Sequence, residues 1–198
     1  MISIYQLKPA FQNLLQPILR FLHKLGVTAN QLTVAAVVLS GGLGYLFLHY
    51  QSHAIILLLL PLGLLLRMAL NALDGMMARQ YNMQSKLGEV LNEMGDVLSD
   101  LALIFPLIIV PGIKPWVIVL FGVLSVLNEF AGLLGRALGG ARRYDGPMGK
   151  SDRALLLGLF CIAYYLWPAT HIYANWIFGA ACLLLLLSTF TRLKKSLQ

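Results

Sequence analysis

The sequence predicts an all-α membrane protein in which an N-terminal amphipathic helix precedes six membrane-spanning helices. Three observations carry that prediction. Of the 198 residues 59% are hydrophobic and the mean hydropathy is +0.76, which is the range of polytopic membrane proteins. The apolar residues gather in runs of the length a bilayer demands, about 20 residues of helix. Apart from Arg67, the lysines and arginines stand at the ends of these runs or between them.

Residues 1–27 read as an interfacial helix and residues 28–198 as one membrane domain. In the first, Ile4, Leu7, Phe11, Leu14, Ile18 and Leu22 recur at helical spacing, with Lys8, Gln12, Gln16, Arg20 and Lys24 on other faces. Pro9 and Pro17 interrupt it and it has no compact apolar core or Ala-x-Ala site, so a secretory signal is not expected. Thr28 or Asn30 can cap the first span, 32–50, whose Ser40-Gly41-Gly42-Leu43-Gly44 stretch suits close helix packing. The second and third spans are expected at 53–79 and 86–110. After the turn Pro111-Gly112-Ile113-Lys114-Pro115, the remaining three are expected at 116–138, 152–167 and 172–190.

Six spans put both termini on one side. Lys8, Arg20, Lys24, Arg79, Lys86, Arg136, Arg142, Arg143, Lys150, Arg153, Arg192, Lys194 and Lys195 fall on that face, whereas the opposite loops carry only Lys114. The bias predicts cytoplasmic termini, and it accounts for the net charge of +7 without any nucleic-acid partner. Cys161 and Cys182 lie within apolar runs at no metal or redox spacing, and the four histidines are scattered near predicted interfaces. Without an internal repeat, an inverted-repeat transporter is not supported.

The chemistry concentrates in Asn71-Ala72-Leu73-Asp74-Gly75-Met76-Met77-Ala78-Arg79 and in the run from Gly88 to Asp100. Five of the eight acidic residues, Asp74, Glu89, Glu93, Asp96 and Asp100, fall there inside apolar surroundings, where an ionisable group is costly and marks a functional site. Asn71 and Asp74 are three apart and Asn92, Asp96 and Asp100 four apart, so each set lies along one helix face. If 80–87 is a turn between antiparallel helices, Asp74 is level with Asn92 and Glu93, and Asn71 with Asp96. That depth is roughly 7 to 15 Å below the turn at about 1.5 Å per residue. Carboxylates and amide oxygens beside a glycine and an arginine suit a divalent cation and a diphosphate. Hard oxygens hold the cation, Gly75 admits a bulky ligand to the backbone, and Arg79 pairs with phosphate.

The stretch resembles the signature of the CDP-alcohol phosphatidyltransferase family, Asp-x-x-Asp-Gly-x-x-Ala-Arg, eight residues, Gly, three residues, Asp, three residues, Asp. Asp74, Gly75, Ala78, Arg79, Gly88 and Asp96 match without a gap, while Asn71 and Asn92 stand where the family has aspartates. Thr28-Ala29-Asn30-Gln31-Leu32-Thr33 resembles the family's Thr-Pro-Asn lead into the first span. The likeness is nearest to a bacterial inner-membrane branch. It implies transfer of a phosphatidyl group from CDP-diacylglycerol or a similar CDP-alcohol to an acceptor hydroxyl, with release of CMP, in phospholipid biosynthesis. It further implies that Asn71, Asp74, Asn92 and Asp96 surround magnesium or manganese, that Gly75, Ala78, Arg79 and Gly88 contact the CDP moiety, and that Asp96 is the general base. A homodimer in the inner (cytoplasmic) membrane, with the site open to the cytoplasm, is implied as well.

Two neutral amides in place of carboxylates favour a single metal ion, or a substitute ligand for which Glu89 is the best placed. They also motivate a second reading, a catalytically silent member that binds CDP-lipid or a partner enzyme. In the polar segment 136–153, Arg142, Lys150 and Arg153 are candidates for holding an anionic acceptor or the lipid phosphate, against plain positive-inside anchoring. Arg67, Asn128 and Glu129 are expected to face the bundle interior, Arg67 either paired with an acid of the pocket or as a lock between helices.

Overall fold

The computed structural model describes residues 8–50 and 53–198, with the side chains of Lys8 and Ala54 excepted. Seven helices follow one another: α1 (Lys8–Lys24), α2 (Ala29–Tyr50), α3 (Ala54–Gln80), α4 (Lys86–Ile104), α5 (Pro115–Ala137), α6 (Lys150–Leu166) and α7 (Ala174–Ser196). Short 3-10 turns, Phe105–Ile109 and Pro168–Tyr173, follow α4 and α6. Among the described residues there is no strand. The expected sites Ile4 and Leu7 of the amphipathic helix lie outside the described residues.

The helix boundaries have local causes. α2 opens on a capping box, in which Gln31 N–H donates to Thr28 Oγ1 at 3.3 Å and Thr28 N–H donates to Gln31 Oε1 at 2.9 Å. Ser85 caps α4 by accepting from Gly88 N–H at 3.0 Å. The third apolar run, expected as one helix to Val110, ends instead at Ile104. Pro106 supplies no N–H to the Ala102 carbonyl one turn earlier, and the chain tightens into a 3-10 turn. Gly44 packs against that same carbonyl. A Cβ on Gly44 would stand 2.1 Å from Ala102 O, so only glycine permits this approach of α2 to α4.

Among the described residues, four helices are long and apolar enough to cross a membrane: Ala29–Tyr50, Ile55–Gln80, Pro115–Ala137 and Pro168–Ser196. The other two expected spans fall outside that description. α4 carries Lys86, Glu89, Glu93, Asp96 and Asp100, and α6, 17 residues long, opens with Lys150, Asp152 and Arg153. α2 packs along both α3 and α4, α3 on α6, and α5 on α7. The main apolar core, which includes Phe47, Leu60, Ile104, Phe121, Phe160 and Phe178, lies mostly in the half remote from the 81–85 turn, leaving the other half to polar side chains.

At the turn end, α1 docks on α3 by burying Leu15 and Leu19 against Leu73, Met76 and Met77. The alternate face of α1 leaves Leu14, Ile18 and Phe21 exposed, and Leu25 just beyond its end is exposed too. His23, expected to be solvated or interfacial, is half-buried and stacks on Tyr81 of the turn at 3.5 Å between ring centroids, which ties α1 to the α3–α4 connection.

Candidate active site

The signature wraps the turn between α3 and α4, where Asn82 adopts a left-handed φ of 55°. Asp74, on α3, is 6% exposed, and its Oδ2 accepts from Thr33 Oγ1 of α2 at 2.9 Å. One turn deeper, Asn71 is half-buried with its Nδ2 buried and unpartnered. Across from them on α4, Asn92 is half-buried and Asp96 is 7% exposed. Both carboxylate oxygens of Asp96 take hydrogen bonds from Lys150 Nζ at the start of α6, at 2.7 and 2.8 Å.

Below this pair a second layer of charge closes the bundle. Asp100 accepts from Arg67 of α3 at 2.7 Å and from Arg153 of α6 at 2.6 and 2.9 Å. Arg153 continues to Glu129 of α5 at 2.7 Å and to the Met148 carbonyl at 3.0 Å. Glu129 shares its other oxygen with Arg142, which also reaches Glu93 at 2.8 Å and lies over the ring of Tyr144. Arg192 of α7 donates to the carbonyls of Asn128 and Asp145 at 2.7 and 3.1 Å. Buried guanidinium groups and carboxylates thus alternate from α3 to the 138–149 loop, and each charge has an opposite neighbour, as burial requires. Outside the membrane segments, Lys195 holds the Asp145 carboxyl below the usual carboxylate range.

One ion pair agrees with the expected register. The equal-depth rule that set Asp74 level with Glu93 and Asn71 with Asp96 places Arg67 level with Asp100, and those two side chains form an ion pair. Arg67 is therefore paired with an acid and joins two helices, so both anticipated roles belong to it. Asp100 contacts α3 and α6. Glu89 is not brought to the other acids. It is exposed and pairs with Arg136 at 2.8 Å, because it leaves α4 on the outer side.

The glycines of the signature make close approaches. Arg79 folds back over Gly75, where a Cβ would lie 3.3 Å from its Nη1, and it pairs with no carboxylate among the described residues. A Cβ on Gly88 would lie 2.7 Å from Asn30 Oδ1, so Gly88 admits the first turn of α2. Ala78 is half-buried beside them. Of the basic candidates for an acceptor or lipid phosphate, Arg153 is 1% exposed and saturated by Asp100 and Glu129, and Arg142 is divided between Glu93 and Glu129. Lys150, half-buried, faces Asp96.

Sequence reasoning missed the grip of Thr33 on Asp74 and that of Arg142 on Glu93. Thr33 carried a signal, since it and Ser40 are isolated hydroxyls on an otherwise apolar helix. The loop arginine carried none, because nothing local says where a loop side chain lands.

Fold and site together define a helical membrane protein with a carboxylate–amide cluster at one end of its bundle. The family model for CDP-alcohol phosphatidyltransferase matches residues 26–188, and the chain belongs to that family. The inner membrane protein YnbA of Escherichia coli (strain K12) is 45% identical over 195 residues, 98% of this chain and 96% of that protein. The phosphatidylinositol phosphate synthase PgsA1 of Mycobacterium tuberculosis has the same fold. Its crystal structure with CDP-DAG bound superposes with a TM-score of 0.75 at 19% identity, covering 91% of this chain and 92% of that one. The structure of that enzyme with manganese and citrate gives 0.74 at 20% identity, covering 89% and 87%.

Proposed function

We propose that this protein transfers a phosphatidyl group from CDP-diacylglycerol, or a related CDP-alcohol, to the hydroxyl of an acceptor alcohol and releases CMP. The observation that carries the reading is a pair of buried carboxylates, Asp74 on α3 and Asp96 on α4, each with a half-buried asparagine one turn away on its own helix, Asn71 and Asn92, together with Gly75 and an Arg79 that has no carboxylate partner among the described residues. The donor set fits a hard divalent cation. It offers two carboxylates and two amide oxygens, while the buried, unpartnered Asn71 Nδ2 is a donor that suits a phosphate oxygen and not the cation. Asn71, Asp74, Asn92 and Asp96 would hold one magnesium or manganese ion. When bound, the ion supplies a positive charge that offsets the developing charge on the diphosphate.

The chain's own residues do the rest. Gly75, Ala78, Arg79 and Gly88 contact the CDP moiety: Gly75 leaves room for the Arg79 guanidinium, Gly88 for Asn30 of α2, and Arg79 pairs with a phosphate oxygen. The acceptor hydroxyl attacks the phosphorus that carries the diacylglycerol, and the bond from that phosphorus to the CMP oxygen breaks. Asp96 takes the proton from the attacking hydroxyl as general base. Arg67 and Arg153 hold Asp100, and through it this part of α4, at a fixed depth. The burial of all three in a charge-compensated lattice makes the site rigid.

The reading extends to the setting. In this reading the chain crosses the bilayer six times, α4 and α6 included, with the site at the cytoplasmic side of a bacterial inner membrane, α1 lies in the interface with Leu14, Ile18 and Phe21 towards the lipid, and the protein is a homodimer. The test is CMP release from CDP-diacylglycerol by purified protein with magnesium or manganese, over a panel of acceptor alcohols. Acceptor-dependent CMP that disappears with chelator and returns with metal is the expected result. Binding of CDP-diacylglycerol without CMP release from any acceptor would overturn transfer in favour of a silent, lipid-binding member, the reading that Asn71 and Asn92 motivate.

A further inference from the structure

Lys150 occupies both oxygens of Asp96, at 2.7 and 2.8 Å, and makes no other hydrogen bond among the described residues. A divalent cation that uses Asp96 therefore meets an ammonium already there. The backbone that carries Lys150 is fixed. Gly149 N–H donates to Asp152 Oδ2 at 3.1 Å, and one turn on, Arg153 is locked to Asp100, Glu129 and the Met148 carbonyl. The Lys150 side chain is different: it is half-buried, 23% exposed against 1% for Arg153, and its four-carbon stem leaves the ammonium free to swing about that fixed point.

We propose that Lys150 is the resident counter-cation of Asp96, that the divalent cation displaces it, and that the released ammonium then turns to a phosphate oxygen of the CDP-lipid. The inference rests on the reading above that Asp74 and Asp96 hold a divalent cation. An ammonium displaced into a partly buried site requires an anion, and the substrate brings one. Metal and CDP-lipid then bind with positive coupling. The metal frees Lys150 for the phosphate, and the phosphate keeps Lys150 off Asp96, each favouring the other by the same factor. Lys150 is in this sense a positioning residue, and it also withholds Asp96 from work as a base until both ligands are present.

The experiment measures Mn2+ binding by the electron paramagnetic resonance signal of free Mn2+, on the purified full chain in detergent, with and without CDP-diacylglycerol in the micelle. Wild type is compared with Lys150→Met and Lys150→Arg, and Asp96→Asn gives the background. Without lipid, Lys150→Met is expected to bind Mn2+ about tenfold more tightly than wild type, a typical coupling between linked sites. Lys150→Arg is expected to bind it more weakly, since a planar fork grips a carboxylate better than an ammonium does. CDP-diacylglycerol should tighten Mn2+ binding more in wild type than in Lys150→Met, the difference being the share that passes through Lys150. Equal or weaker Mn2+ affinity in Lys150→Met, with wild type binding above the Asp96→Asn background, would overturn the inference and leave the metal site standing. If neither wild type nor Lys150→Met exceeds that background, the metal reading fails and the inference falls with it. Binding by Lys150→Met alone supports it.

Discussion

Arg67 Nη2 and Asp100 Oδ1 lie 2.7 Å apart, joining α3 to α4 one turn deeper than the cluster of Asn71, Asp74 and Asp96. The pair is buried on both sides, and Arg153 shares the same carboxylate. Removing the acid leaves two guanidinium groups without compensation. Asp100→Asn is expected to destabilise the protein by about 3 to 5 kcal/mol, the usual cost of breaking a buried pair from one side. Unfolding midpoints in detergent check this, and combining Asp100→Leu with Arg67→Met should return part of the loss.

Asp96→Asn keeps the shape of the side chain and removes its basicity. Transfer is expected to fall by about 10²- to 10⁴-fold, the usual worth of a positioned general base, with the unfolding midpoint little changed. Asp74→Asn should abolish transfer as well, through the cation. Initial rates of CMP release measure both, and full activity in either variant would sink the assignment.

Thr33 donates to Asp74 at 2.9 Å. Thr33→Val retains the volume and deletes the hydroxyl, so Asp74 loses its hydrogen-bond partner from α2. A loss on the order of tenfold in CMP release is expected, equivalent to about 1.4 kcal/mol, close to the lower end for a hydrogen bond to a charged group. Thr33→Ser should restore the rate.

Asn71→Asp and Asn92→Asp each add a negative charge to the cluster without changing side-chain size. Each is expected to tighten Mn2+ binding by about tenfold or more, because a unit charge near 4 Å is worth several kcal/mol at the effective dielectric of a protein. Mn2+ titration reads this directly, and unchanged affinity would show that the residue lies outside the metal's reach.

A Cβ on Gly44 would lie 2.1 Å from the Ala102 carbonyl oxygen, a distance that no Cβ tolerates. Gly44→Ala forces α2 away from α4 and should cost about 1 to 3 kcal/mol, the usual penalty of overpacking. Gly41→Ala on the same helix, where a Cβ meets nothing within 4 Å, is the control and should leave the unfolding midpoint unchanged.

Much of this was legible in the chain because it depends on local rules. Apolar runs of bilayer length and the three- and four-residue spacing of Asn71, Asp74, Asn92, Asp96 and Asp100 follow from helix geometry alone. So does the register about the 80–87 turn, which sets Asp74 level with Glu93 and Asn71 with Asp96; that Arg67 takes Asp100 came from the structure. One boundary was missed for a local reason: Pro106 ends α4 within an apolar run whose hydropathy continues without a break.

What only the tertiary structure decided is which charge meets which. Lys150 reaches Asp96 across 54 residues, Arg153 reaches Asp100 across 53, and Glu89 turns outward to Arg136 across 47. Periodicity fixes the face of a helix on which a residue lies but not the rotation of that helix against its neighbours. The pairings of long, flexible side chains depend on that rotation. Desolvation then selects among the possible rotations, since a buried charge without a partner costs more than the bundle's small net stability can absorb.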